Sequence, residues 1–164
     1  VIGGGDFAEN RVIPDCVRAV YRNEPVFLRN PNATRPYQHV LDPLYAYLLV
    51  AAKQYEMPEK MGCYNVGPGD AGCMSNRELV QLFCQAWGEG ARWETLAQQD
   101  RFHEANFLRL DSSRIASVFG WKPRWDIQSA IEKTVEWTRV YFDQGDLAAL
   151  MDRQIDEFMR GEIE

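Results

Sequence analysis

The chain of 164 residues is 46% apolar and 12% aromatic, enough for one domain with a sizeable core and unlike a disordered or low-complexity sequence. A net charge of −6 and a pI near 5.0 argue against nucleic acid or an acidic membrane surface as partner, and no apolar run approaches the ~20 residues that span a bilayer. The four cysteines show no CxxC spacing and the two histidines stand apart, which argues against a structural zinc site and makes reduced thiols and a cytoplasmic location the expectation.

The opening residues, Val1-Ile2-Gly3-Gly4-Gly5-Asp6, read as the end of a strand running into a glycine turn, with the strand itself cut away. Asn10 to Arg22 follows as a helix, with Pro14 in its first turn and Ile13, Cys16, Val17 and Val20 on one apolar face. Glu24 to Arg29 reads as a short strand. Asp42-Pro43 starts a helix running to about Tyr55, whose apolar residues from Leu44 to Ala52 leave few polar positions and predict burial on most sides. Gly62 to Val66 reads as a buried strand. Ser75-Asn76-Arg77-Glu78 is a capping box for a helix ending near Trp87. Ala91 to Ala97 is a predicted strand, and Gln98 to Arg109 is irregular. Asp111 or Ser112 caps a short helix that Gly120 ends. Asp126 caps a long amphipathic helix, and Asp146 opens a last one to about Arg160. The whole is one unit, residues 1–164, richer in helix than in strand.

Two stretches bear on chemistry. In Asn30-Pro31-Asn32-Ala33-Thr34-Arg35-Pro36, turn formers and two prolines hold Arg35 between a stiff turn and the helix that follows. A guanidinium so fixed can give two parallel hydrogen bonds to a phosphate, although a solvated or carboxylate-paired arginine fits the same position. Five arginines (Arg11, Arg18, Arg22, Arg29 and Arg35) precede residue 36, in a first third that is close to neutral while the remainder carries the negative charge. Gly67-Pro68-Gly69-Asp70-Ala71-Gly72 matches the GxGxxG pattern in form only. Pro68 removes a backbone N–H, no helix opens inside the glycines, and no acid-ended strand follows about 20 residues on. It reads as a strand-to-helix loop.

The order of pieces, with Val1-Ile2-Gly3-Gly4-Gly5-Asp6-Phe7-Ala8, Arg11-Val12-Ile13-Pro14-Asp15-Cys16, Arg29 to Pro36, Tyr64-Asn65-Val66-Gly67 and Phe119-Gly120-Trp121-Lys122-Pro123, resembles the C-terminal half of extended short-chain dehydrogenases acting on nucleotide sugars. Within them it is most similar to the CDP-glucose 4,6-dehydratase family, and the likeness covers essentially the whole chain. The resemblance implies an α/β, Rossmann-type fold of which this chain is the helix-rich substrate-binding lobe, with the N-terminal dinucleotide-binding half absent. It also implies roles. Arg35 would bind the substrate diphosphate, and Arg11 and Val12 would border the nucleotide at a helix start. Val26 and Leu28 would border the base, and Arg101 and His103 would supply a second arginine and a histidine near the phosphates. Val12, Val26 and Leu28 fit plain core better than a site, and His103 fits a structural histidine equally well. His39 reads as packing.

The family's chemistry lies in the other half: NAD in its glycine loop, and a Tyr-x-x-x-Lys pair. No tyrosine here is followed four places on by lysine, so no catalytic residue is expected, and neither bound NAD nor a metal. The intact family enzyme would convert CDP-glucose to CDP-4-keto-6-deoxyglucose and water; this chain would bind the CDP-sugar and be inactive alone. The same lobe of a TDP-glucose dehydratase or a nucleotide-sugar epimerase, and a non-enzymatic binding module, are the competing readings. Because the family packs Cys63–Val66 and the Leu44–Ala52 helix onto the other half, an apolar face without it predicts a homo-oligomer or association with that half.

Overall fold

Four short strands and six α-helices, with one 3-10 turn at Pro58–Lys60, make up the regular structure of the described residues, and the strands serve as clips between helices rather than as a sheet core. The computed structural model describes residues 1–95 and 107–161. In chain order these are α1 (Val12–Tyr21), β1 (Val26–Leu28), β2 (Thr34–Pro36), α2 (Leu41–Glu56), β3 (Cys73–Ser75), α3 (Asn76–Trp87), β4 (Trp93–Thr95), α4 (Ser113–Phe119), α5 (Ile127–Phe142) and α6 (Leu147–Arg160). β1 pairs in parallel with β4, Val26 opposite Trp93, and β2 pairs antiparallel with β3, Arg35 opposite Met74.

Local capping chemistry sets the helix starts. Ser75 accepts from the Glu78 N–H at 3.2 Å while the Glu78 carboxylate accepts from the Ser75 N–H at 2.7 Å, the reciprocal box expected for α3. Asp126 accepts from the Ser129 N–H (2.8 Å) and Asp146 from the Ala149 N–H (2.9 Å), opening α5 and α6. At α4, Asp111 rather than Ser112 supplies the oxygen, to the Ser113 N–H at 2.9 Å.

The principal core lies between α1, α3, α5 and β1, with Cys16, Leu79, Val80, Phe83 and Ile131 fully enclosed. Thr134 and Thr138, buried on α5, return their hydroxyls to the carbonyls of Ala130 and Thr134, so neither leaves a polar group unpaired. A second, smaller cluster joins α2 to α4 through Ala46, Ile115 and Trp121.

Two expectations fail. α2 is buried only at Asp42, Pro43 and Ala46, while Leu44, Tyr47, Leu48 and Tyr55 form an exposed apolar stripe, Leu48 being 72% exposed. Its apolar sequence called for a covering surface that no described residue supplies. Residues 62–66 form no strand either. No described strand lies alongside, and side chains take the carbonyls instead: Arg114 donates to Cys63, Gln38 to Val66 and Ser112 to Gly67. The expected strand at 91–97 is present as Trp93–Thr95, with 91–92 outside the strand; residues 96–97, and most of 98–109, lie outside the described residues.

A polar junction fastens the start of α2 to the rest. Asp42, fully buried, accepts from the Arg124 N–H at 2.7 Å, and Arg124 donates to the Phe158 and Met159 carbonyls at the end of α6 while lying 4.3 Å from the Tyr45 ring. Burial pushes the Asp42 carboxyl up to about 6 against the pull of the Arg124 and Trp125 N–H groups and the Arg124 charge. His39, 3% exposed with its ring edge against Trp125, is pushed down to about 4 by burial and by Lys133.

The two groups give opposite pH dependence. Asp42, raised in the fold, contributes stability that is full below 3.8 and is lost as pH rises through about 6; His39, lowered, contributes stability present above 6.5 and lost as pH falls through about 4. In Asp42→Asn only the His39 dependence remains. Its stability relative to the wild type should therefore rise by on the order of 2–3 kcal/mol between pH 4 and pH 7.5 in urea denaturation. A difference independent of pH would refute the assignment.

Candidate functional site

A cleft of about 410 Å³, within the ~300–1,000 Å³ range of small-molecule sites, opens between the N-terminal segment, the first turn of α1 and the β2–β3 ribbon. It brings Arg35 together with Arg11 and Val12, residues from two separate stretches of sequence. Arg11 occupies the N-cap position of α1, where the first amides have no intrahelical partner and the helix dipole favours anions.

The seating of Arg35 follows from its neighbours. The turn before it docks on the start of α3: the Asn76 N–H donates to the Ala33 carbonyl and the Arg77 N–H to the Pro31 carbonyl, both at 3.0 Å. Arg35 then pairs across the ribbon with Met74, and its Nη1 donates to the Thr34 carbonyl at 2.9 Å. Next to it the Tyr37 hydroxyl donates to Asn76 Oδ1 at 2.5 Å, and Asn76 Nδ2 donates to the Asn30 carbonyl at 2.9 Å. The ribbon end is closed by the Tyr37 N–H on the Gly72 carbonyl, so close that a Cβ at Gly72 would meet the Tyr37 carbonyl oxygen at 2.8 Å.

The cleft is not purely cationic. Asp6 accepts from Arg11 Nη1 and from the Ala8 N–H, each at 3.0 Å; burial alone would raise its carboxyl, but these two donors outweigh it and hold it below the ordinary range. Two other arginines of the early cluster are committed to structure. Arg18 donates to the Phe7 and Ala8 carbonyls and pairs with Asp15, and Arg29 donates to Asn10 Oδ1 at 2.7 Å.

Val26 and Leu28, 2% and 5% exposed, belong to the principal core and do not line the cleft; their neighbour Phe27 faces outward. Arg101 and His103 lie outside the described residues. Asp6, Asn10, Tyr37 and Asn76 line the cleft without having been singled out in the sequence. For Asn76 the one sequence signal was its place in the capping box; for Asp6 it was a carboxylate five residues before Arg11.

The Gly67–Gly72 segment does not fit a dinucleotide pyrophosphate. Its glycines allow close packing of Pro68 and Tyr37 around Gly72, and the helix that follows has its first three amides taken by Ala33, Pro31 and Ser75.

No family model matches the chain. It is 36% identical over 160 residues to the CDP-glucose 4,6-dehydratase of Salmonella typhimurium, an alignment covering 97% of this chain and 44% of that protein. The chain thus spans less than half the length of this curated relative. Among solved structures it resembles UDP-glucose 4-epimerase from Thermotoga maritima with UDP-glucose (TM-score 0.69, 22% identity, 86% of this chain and 44% of that one). It also resembles dTDP-glucose 4,6-dehydratase from Bacillus anthracis in complex with NAD (TM-score 0.63, 18% identity, 83% and 41%). These likenesses give the fold: the helix-rich part of an extended short-chain dehydrogenase of Rossmann type.

Tyr37→Phe removes the donor to a nearly buried Asn76 beside Arg35. It should cost about 1–2 kcal/mol in urea denaturation, with helical content unchanged by circular dichroism. A cost near zero would mean that this bond contributes nothing to the cleft wall.

Proposed function

From a chain related to CDP-glucose 4,6-dehydratase, matching its C-terminal part and sharing the fold of extended short-chain dehydrogenases, we propose the role of the nucleotide-sugar-binding lobe of such a dehydratase. The observation that carries this reading is the convergence of Arg11, Arg35 and the α1 N-terminus on one cleft. A diphosphate there would take parallel hydrogen bonds from the Arg35 guanidinium and a backbone N–H at Val12, and would displace Asp6 from Arg11. Arg101 and His103 complete the phosphate contacts in this reading. Because the Val26 and Leu28 side chains are core, β1 would offer the base only its backbone and Phe27.

The whole enzyme would turn CDP-glucose into CDP-4-keto-6-deoxyglucose and water with NAD held by its other half, for cytoplasmic deoxysugar synthesis leading to surface polysaccharide such as the O-antigen of lipopolysaccharide. This lobe binds and orients substrate; it carries no acid, base or hydride chemistry and is inactive alone. CDP is favoured over TDP because the dTDP-glucose 4,6-dehydratase of Streptomyces antibioticus aligns over only 77 residues, against 160 for the CDP-glucose enzyme. The apolar stripe of α2 is the surface for the dinucleotide-binding half or, in its place, for a second copy of this chain.

In calorimetric titration the chain should bind CDP-glucose in preference to TDP-glucose and glucose 1-phosphate, and Arg35→Ala should weaken binding about tenfold or more. Equal binding of both nucleotide sugars would move the lobe to another nucleotide-sugar enzyme, and turnover by the isolated chain would overturn its assignment as non-catalytic. In light scattering the chain alone should self-associate and Leu48→Asp should restore the monomer. A wild-type monomer at high concentration would remove the α2 interface.

A further inference from the structure

One wall of the cleft has no secondary structure of its own. Residues 3–10 contribute Gly3, Asp6 and Asn10 to it, and begin with three consecutive glycines, whose backbone is the freest of all. Their path is set from outside the cleft, by α5. The Gly4 backbone lies directly on the Trp137 indole: a Cβ there would come within 2.1 Å of Trp137 Cγ and Cδ2, and one at Gly5 would sit 3.7 Å from Cζ2. Trp137 is stacked on Tyr141 (5.3 Å between centroids, 11° between planes), and Phe7 packs against both, 6.3 Å and 5.1 Å away. The ends of the segment are pinned separately. Ile2 bonds to the Gln38 carbonyl and the Val40 N–H, and Arg18 and Arg29 hold Phe7, Ala8 and Asn10. Between these pins the indole supports the glycine run that leads to Asp6, and Asp6 fixes Arg11.

We propose that Trp137 is a positioning residue for the nucleotide-sugar cleft, acting through Gly4 on the segment that carries Asp6 and Asn10. The proposal rests on the ligand reading above and adds to it a residue that does not line the cleft. Only a flat ring beneath a residue without Cβ allows this approach, so Gly4→Ala and Trp137→Ala should disturb the same segment from opposite sides, and Trp137→Phe should preserve most of the support.

The test uses the full chain with these three variants. Tyr21→Ala serves as control: it removes the stack on Phe142 at the far end of the aromatic row and leaves residues 3–10 untouched. Calorimetry with CDP-glucose should give about tenfold weaker binding for Trp137→Ala and Gly4→Ala, near wild-type binding for Trp137→Phe, and unchanged affinity for Tyr21→Ala even at an equal loss of thermal stability. Amide exchange should speed up about tenfold at residues 3–10 in Trp137→Ala and Gly4→Ala, and not in the control. Wild-type affinity in Trp137→Ala, or an equal loss in Tyr21→Ala, would overturn the proposal. If the wild type does not bind CDP-glucose, the ligand reading fails and exchange decides alone: unchanged protection of residues 3–10 in both variants would overturn the positioning role.

Discussion

The first three amides of α3 are all taken by acceptors outside the helix: Ala33 on Asn76, Pro31 on Arg77, and Ser75 on Glu78. A helix start has these donors to satisfy in any fold, and here two of them are satisfied by a turn distant in sequence. The same bonds that complete the helix therefore clamp the Asn30–Ala33 turn, leave Ala33 with no exposed surface, and set the register in which β2 meets β3. Arg35 and Tyr37 inherit their positions from that register. The floor of the cleft is in this sense a by-product of capping α3, and the prolines on either side of Arg35 only keep the intervening chain extended.

What was legible in the sequence was what is decided locally. Ser75, Asp126 and Asp146 each cap the helix that their spacing announced, and Gly120 closes α4, because cap chemistry needs only residues three or four apart. Arg35 drew attention by its type and mounting and Arg11 through the family resemblance, and nothing in the chain order alone brings them to one cleft. Tyr37 and Asn76 were not readable, since their bond joins segments whose approach depends on the β2–β3 register. The misreadings share one cause. An apolar run such as Leu44–Ala52 or an extended one such as Cys63–Val66 states that it suits a covered surface or a neighbouring strand, and is silent on whether that neighbour lies in the same stretch of chain.

Stability is unevenly distributed as a result. The principal core joins four elements, whereas α2 is held by its first turn, Ala46 and a small cluster with Ile115 and Trp121. Its anchor is a buried carboxyl whose charge is opposed by its own surroundings, beside a histidine whose charge is opposed in the other direction. Arg124 lets that junction work by reaching two helices at once, donating its guanidinium N–H to α6's terminal carbonyls and its backbone N–H to Asp42. Elements fastened in this way open before a hydrocarbon core does.

The parallel pairing of β1 with β4 has a consequence for the order of assembly. Parallel neighbours cannot be joined by a tight turn, and these two enclose β2, α2, β3 and α3 between them. Closing so long a loop costs chain entropy before a three-residue ladder returns anything, so the ladder is expected to follow the docking of α1 on α3 rather than to nucleate it. Near-zero φ-values for conservative changes at Val26 and Leu28, beside high ones at Leu79 and Val80, would be the kinetic signature of that order.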